Sequence, residues 1–163
     1  MSTLGYVITP GDPVVALTTG ADLAIAAYGA LGATLDLRGG PLAFIATLTS
    51  PGFAAAPAAG DVLELVALYS GRADLAIGAL ATGDFEDYTA GLISGGGFAT
   101  ARSHVGEFEL SANTSALVRS TRPIYLPGPG YYKFALASRQ VTGAGATLPA
   151  GAVVKLTRWT EGA

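Results

Sequence analysis

Leu42-Ala43-Phe44-Ile45-Ala46-Thr47-Leu48-Thr49, closed by Ser50-Pro51-Gly52, sets the pattern for the whole chain. Leu42, Phe44, Ala46 and Leu48 fall on one side of an extended backbone. Successive side chains of a strand point to opposite faces, so this spacing describes a β-strand with one face in a core. The Ser-Pro-Gly that follows has turn chemistry and stops the run.

The same signature recurs on both sides of this stretch. Upstream, Val14 to Thr19 follows the turn formers Pro10-Gly11-Asp12-Pro13, and Thr34-Leu35-Asp36-Leu37 runs into Arg38-Gly39-Gly40-Pro41. Downstream, Asp61 to Tyr69 is mostly apolar on both faces: Leu63, Leu65 and Ala67 on one, Val62, Glu64, Val66 and Leu68 on the other. That doubling predicts a central strand or one that faces a neighbouring chain. In Val105-Gly106-Glu107-Phe108-Glu109-Leu110, the alternation places Phe108 and Leu110 inward and Glu107 and Glu109 outward. Leu117-Val118-Arg119, Pro123 to Leu126, Tyr131 to Leu136 and Val153 to Trp159 complete the series, separated by Gly/Pro turns such as Pro127-Gly128-Pro129-Gly130. Nine or ten strands at short intervals predict an all-β, single-domain antiparallel β-sandwich, jelly-roll-like, with Gly/Pro-rich loops.

Leu23 to Leu31 is rich in Ala, but Tyr28-Gly29 and Gly32 interrupt any helix, and a strand is expected there. The acidic, then glycine-rich segment from Asp84 through Gly97 reads as the longest exposed loop. No linker divides residues 1–163, so one domain is expected, with residues 1–13 a candidate extended N-terminal arm. The pentapeptides Ala21 to Ile25 and Ala73 to Ile77 echo one another, but they are too short to establish a repeat.

Composition narrows the function classes. Half of the residues are apolar and only 13% are charged, with 23 Gly and 9 Pro. So few charges predict either apolar area on the outside for something else to cover, or a surface of small Ala and Gly side chains that tolerates exposure. There is no Cys, which excludes disulfides, thiolate metal sites and a Cys nucleophile. The nine basic residues are scattered and the net charge is −3, so no nucleic-acid partner is expected. The N-terminus lacks the basic and apolar regions of a secretory signal. The uncharged stretch Gly39 to Gly60 is broken by Pro41, Pro51 and Pro57, so no membrane span is expected.

Nothing in the sequence assembles a catalytic constellation. His104 is the only histidine, and its neighbour Ser103 falls on the opposite face of a strand. Ser94 misses the nucleophile-elbow spacing by one residue. Glu107 and Glu109 share a strand face in the manner of a solvated surface. Asp84, Glu86 and Asp87 could offer oxygen ligands to calcium but do not match a calcium-loop spacing. The expectation is therefore no enzyme, no metal and no cofactor. Asn113-Thr114-Ser115 fits the glycosylation pattern, which is common by chance. Aromatic residues concentrate late in the chain, at Tyr125, Tyr131, Tyr132 and Trp159. They are expected to fill the core or an oligomer interface, which makes them the candidate interface residues; the alternative is a stacking platform for sugars.

The segment Pro123-Ile124-Tyr125-Leu126-Pro127-Gly128-Pro129-Gly130-Tyr131-Tyr132-Lys133-Phe134-Ala135-Leu136, with the closing strand Val153 to Trp159, resembles the end of small tailed-bacteriophage virion proteins. The resemblance covers about the last 45 residues and is one of style, without a diagnostic motif. It implies a capsid decoration (cement) protein on the capsid surface. Such a protein would associate with itself, as a trimer or another closed oligomer, and bind a major capsid protein. A tail, neck or fibre component of the same particle is the neighbouring expectation. A carbohydrate-binding β-sandwich is the alternative from another class.

Overall fold

The computed structural model describes residues 6–7, 13–25, 27, 29–39, 42–72, 74–81, 84–85, 104–158 and 160–161. Apart from Leu23 to Leu31, the stretches expected as strands form strands, with most ends shifted by a residue or so and the strand from Tyr131 extended to Gln140. In chain order these are β1 (Tyr6–Val7), β2 (Val14–Thr18), β3 (Leu35–Asp36), β4 (Ala43–Ser50) and β5 (Val62–Ser70). They are followed by β6 (His104–Glu109), β7 (Leu117–Ser120), β8 (Ile124–Tyr125), β9 (Tyr131–Gln140), β10 (Val153–Arg158) and β11 (Thr160–Glu161). A 3-10 turn, Ile77–Ala79, follows β5.

Two antiparallel sheets form the body. The first has the order β2-β10-β4-β7, with β8 continuing the β7 edge along β4; the second has the order β3-β9-β5-β6. The chain passes from one sheet to the other at every step except β5 to β6 and β7 to β8. This interleaving of first and last strands is the jelly roll, two Greek keys closed into a sandwich. A separate two-stranded ribbon pairs Tyr6 with Glu161 and Val7 with Thr160, within the segment expected as an arm.

The inner faces make the core. Phe44, Leu48, Val154 and Leu156 of the first sheet meet Leu63, Leu65, Phe108, Phe134 and Leu136 of the second, all essentially without solvent contact. Phe108 stands directly across from Leu63, as the alternation along β6 requires. Glu107 and Glu109 are exposed on the opposite face.

β5 is central, between β9 and β6, and both of its faces are covered by its own chain. On its outer face, Val66 and Leu68 cluster with Tyr131, Ala137 and Phe85, and Leu31 and Leu80 pack against the group. The second apolar face thus finds its cover within the molecule.

The strand expected over Leu23 to Leu31 does not form. Leu23 makes an isolated bridge to Leu148, and the chain then follows β9 irregularly. The N–H groups of Gly29 and Gly32 donate to Leu136 and Phe134 carbonyls, and Ser138 N–H donates to Ala27. Close approach explains the irregularity. A Cβ on Gly32 would lie 2.1 Å from the Ala16 carbonyl oxygen, so the segment is pressed against β2 while it borders β9.

Candidate interaction surface

Strand alternation gives the first sheet an outer face made of side chains from β2, β10, β4, β7 and β8. Residues whose neighbours point into the core must point out, and the register aligns them in rows across strands. Thr18, Val153, Thr49 and Val118 form one row; Val15, Lys155, Thr47 and Ser120 form the next. Thr157 stands beside Ile45, and Ala43 beside Tyr125. The Thr47 and Ser120 hydroxyls are 3.0 Å apart and join β4 to β7 across this face.

Lys155 is the one charged side chain among the described residues of these rows. Tyr125 is 66% exposed and Val118 60%. The face is therefore apolar and hydroxyl-bearing, with a single cation. It can bury area against a partner at little charge-desolvation cost.

Of the four aromatic candidates, Tyr125 lies on this face. Tyr131 and Tyr132 do not: both are fully buried in the chain's own interior. As sequence neighbours on a strand they face opposite ways, so cover is needed on both sides of the second sheet. The Tyr131 hydroxyl donates to the Leu75 carbonyl at 2.7 Å, and the Arg38 guanidinium sits 4.4 Å from its ring centre. Tyr132 enters the core between Tyr69 and Phe134, with ring centres 5.2 and 6.2 Å away. Its hydroxyl donates to the Gly128 carbonyl at 2.6 Å and accepts the Gly128 N–H at 3.3 Å. These two rings hold the fold together and leave no area for a partner. Trp159 lies outside the described residues.

A second feature is a cleft of about 640 Å³ on the side where β6 approaches the β7–β8 turn. It is lined by His104, Glu107, Glu109, Ser120, Thr121 and Arg122, among others. Its floor is close-packed: a Cβ on Gly106 would meet Thr121 Cγ2 at 3.0 Å and Ile124 Cγ2 at 3.1 Å. Thr121 is fixed by a reciprocal pair with Ala46, accepting its N–H at the hydroxyl (3.1 Å) and donating its own N–H to its carbonyl (2.9 Å). His104 Nε2 is 3.5 Å from Glu107 Oε1.

The remaining chemical candidates find local partners or lie elsewhere. Ser103, Ser94, Glu86 and Asp87 are outside the described residues. Asp84 receives Arg72 Nη1 at 2.9 Å and the Ala81 N–H at 2.8 Å. Among the described residues, no group of three His, Asp or Glu is placed to hold a metal ion. Asn113 uses its side-chain oxygen to accept the Ser115 N–H, closing a local turn. No helix among the described residues is long and apolar enough to cross a membrane.

Set against protein-family models, curated proteins and solved structures, the chain matches none of them. Neither the flat face nor the cleft was singled out from the sequence. The signal for the face was present: of the outward positions of β4 and β10, Ile45, Thr47, Thr49, Val153 and Thr157 are uncharged and only Lys155 carries charge, where a solvated strand would alternate with charge. The signal for the cleft was Gly106, a glycine inside a strand, which marks close approach by another part of the chain.

Proposed function

We propose that this chain is a non-enzymatic structural protein of a virion, a capsid decoration protein that binds a shell of major capsid protein and associates with its own copies. The observation that supports this reading is the outer face of the first sheet, with Val15, Ile45, Val118, Val153 and Tyr125 among hydroxyls and one lysine. A fold class does not carry a function, although jelly rolls occur in viral capsid and lectin domains. The face adds a means of assembly: uncharged area on a rigid sheet, repeated at many equivalent sites, yields avidity from modest single contacts. A tail, neck or fibre position in the same particle would use the same face.

Light scattering of the purified chain behind size exclusion tests the reading. A trimer or other closed oligomer is expected, and Val118→Lys with Tyr125→Lys should dissociate it without changing the melting temperature. A strictly monomeric wild-type chain at high concentration would remove the main support. Gene order then separates positions in the particle: a neighbouring major capsid gene points to the head, a tape-measure gene to the tail. The carbohydrate-binding alternative rests, among the described residues, on Tyr125 as the exposed ring. Glycan-array binding abolished by Tyr125→Ala would favour it instead.

A further inference from the structure

The free edge of the second sheet points to a docking site of a different kind. We propose that an extended segment of a partner protein adds to β6 as a further strand, with lysine or arginine side chains at alternate positions lying against Glu107 and Glu109.

β6 ends its sheet, with β5 on one side and no strand on the other among the described residues. In an antiparallel pair, the main-chain groups of successive residues point alternately toward the neighbour and away from it. The Leu110 N–H donates to the Asp61 carbonyl at 2.9 Å, so Leu110 and, two residues earlier, Phe108 face β5. Glu107 and Glu109 therefore direct their N–H and C=O groups to the open side. The Arg119 guanidinium bears this out: its Nε donates to the Glu109 carbonyl at 3.0 Å from across the gap. Arg119 caps that one group, and among the described residues nothing pairs with the N–H and C=O of Glu107, which face the cleft.

The cleft gives an added strand somewhere to lie. It runs beside these groups, with Gly106, Thr121 and Ile124 at its floor and Ser120 to Pro123 on the far wall. An added strand needs a spacing of about 4.8 Å and takes its affinity from main-chain hydrogen bonds.

Charge selects the occupant. A second copy pairing β6 with β6 would set two rows of Glu107 and Glu109 against each other, and like charges directly opposite destabilise a pair of strands. Cations two residues apart would instead meet these carboxylates on one face. Arg122 on the far wall disfavours a uniformly basic segment, so the fit is to alternation. This edge is separate from the outer face of the first sheet, and the inference does not rest on the assembly reading.

The test uses the full chain and a blocked hexapeptide alternating lysine and valine. Amide NMR shifts and hydrogen exchange are followed during titration. Saturable binding is expected, with the Glu107 and Glu109 amides shifted and protected. A peptide methylated on alternate main-chain nitrogens should bind at least about tenfold more weakly, because it lacks the ladder donors. The Glu107→Gln/Glu109→Gln double variant, whose fold is checked by its unchanged spectrum, should lose a similar factor. Three results overturn the proposal: no saturation, equal affinity for the methylated or a glutamate–valine peptide, or protection that maps away from β6.

Discussion

Asp61 and Gly143, far apart in sequence, are joined by a hydrogen bond: the Gly143 N–H donates to Asp61 Oδ2 at 3.0 Å. The same oxygen accepts the Ala58 N–H at 2.8 Å, and Oδ1 accepts the Thr142 hydroxyl at 2.7 Å. One buried carboxylate thus ties the β4–β5 loop to the β9–β10 loop. Asp61→Asn keeps the shape but replaces an acceptor oxygen with a donor facing N–H or hydroxyl groups. The expected loss is about 2 kcal/mol, read from urea unfolding of the two proteins.

Acid should erase that difference. Burial alone would raise the Asp61 pKa, but hydrogen bonds from Thr142, Gly143 and Ala58 outweigh it and hold the carboxyl below its usual range. A lowered folded-state value means the stabilisation is complete above the unfolded carboxylate pKa of about 3.9 and is lost as pH falls through the lower folded value. The gap between wild type and Asp61→Asn should be largest near neutrality and narrow in acid. Unfolding curves over a pH series check this, and a gap that grows in acid would contradict it.

Two glycines should respond in opposite ways to the same methyl group. Gly32→Ala drives a Cβ into the Ala16 carbonyl, whose backbone has no room to yield within β2. A cost of about 2 kcal/mol or more is expected. Gly20→Ala meets nothing within 4 Å, and its effect should stay within about 0.5 kcal/mol. Thermal melts of the two variants decide the matter.

Aromatic substitutions should separate stability from binding. Tyr132→Phe removes a hydroxyl that both donates to and accepts from Gly128, and about 1 kcal/mol of stability should go with it. Tyr125→Ala truncates an exposed ring and should leave the melting temperature nearly unchanged while altering association. A large stability loss in Tyr125→Ala would place that ring in the core.

Strand identity was legible because a period of two survives in a short window. Leu42 to Thr49 and Val105 to Leu110 gave both the strands and the inward faces. Cover was not legible. The apolar second face of β5 looked the same whether a neighbouring chain or Phe85 and Leu80 lay over it, since those residues are remote in sequence. Tyr131 and Tyr132 posed the same problem: a late cluster of aromatic residues reads alike as interface or interior, and only the fold brings the Leu75 carbonyl over Tyr131. Leu23 to Leu31 failed for a local reason. Its apolar residues follow β9 by hydrogen bonds at glycines, a contact that leaves no periodic trace.

The place of β10 between β2 and β4 governs the order in which the molecule can be built. Until the ribosome has released residues 153–158, β2 has no neighbour in its sheet, and β4 keeps an open row of donors and acceptors on one side. Closing such distant pairs is slow. During that delay the nascent chain offers a template for aggregation. A chain cut before Val153 should accumulate as insoluble material, although it would retain every strand of the second sheet.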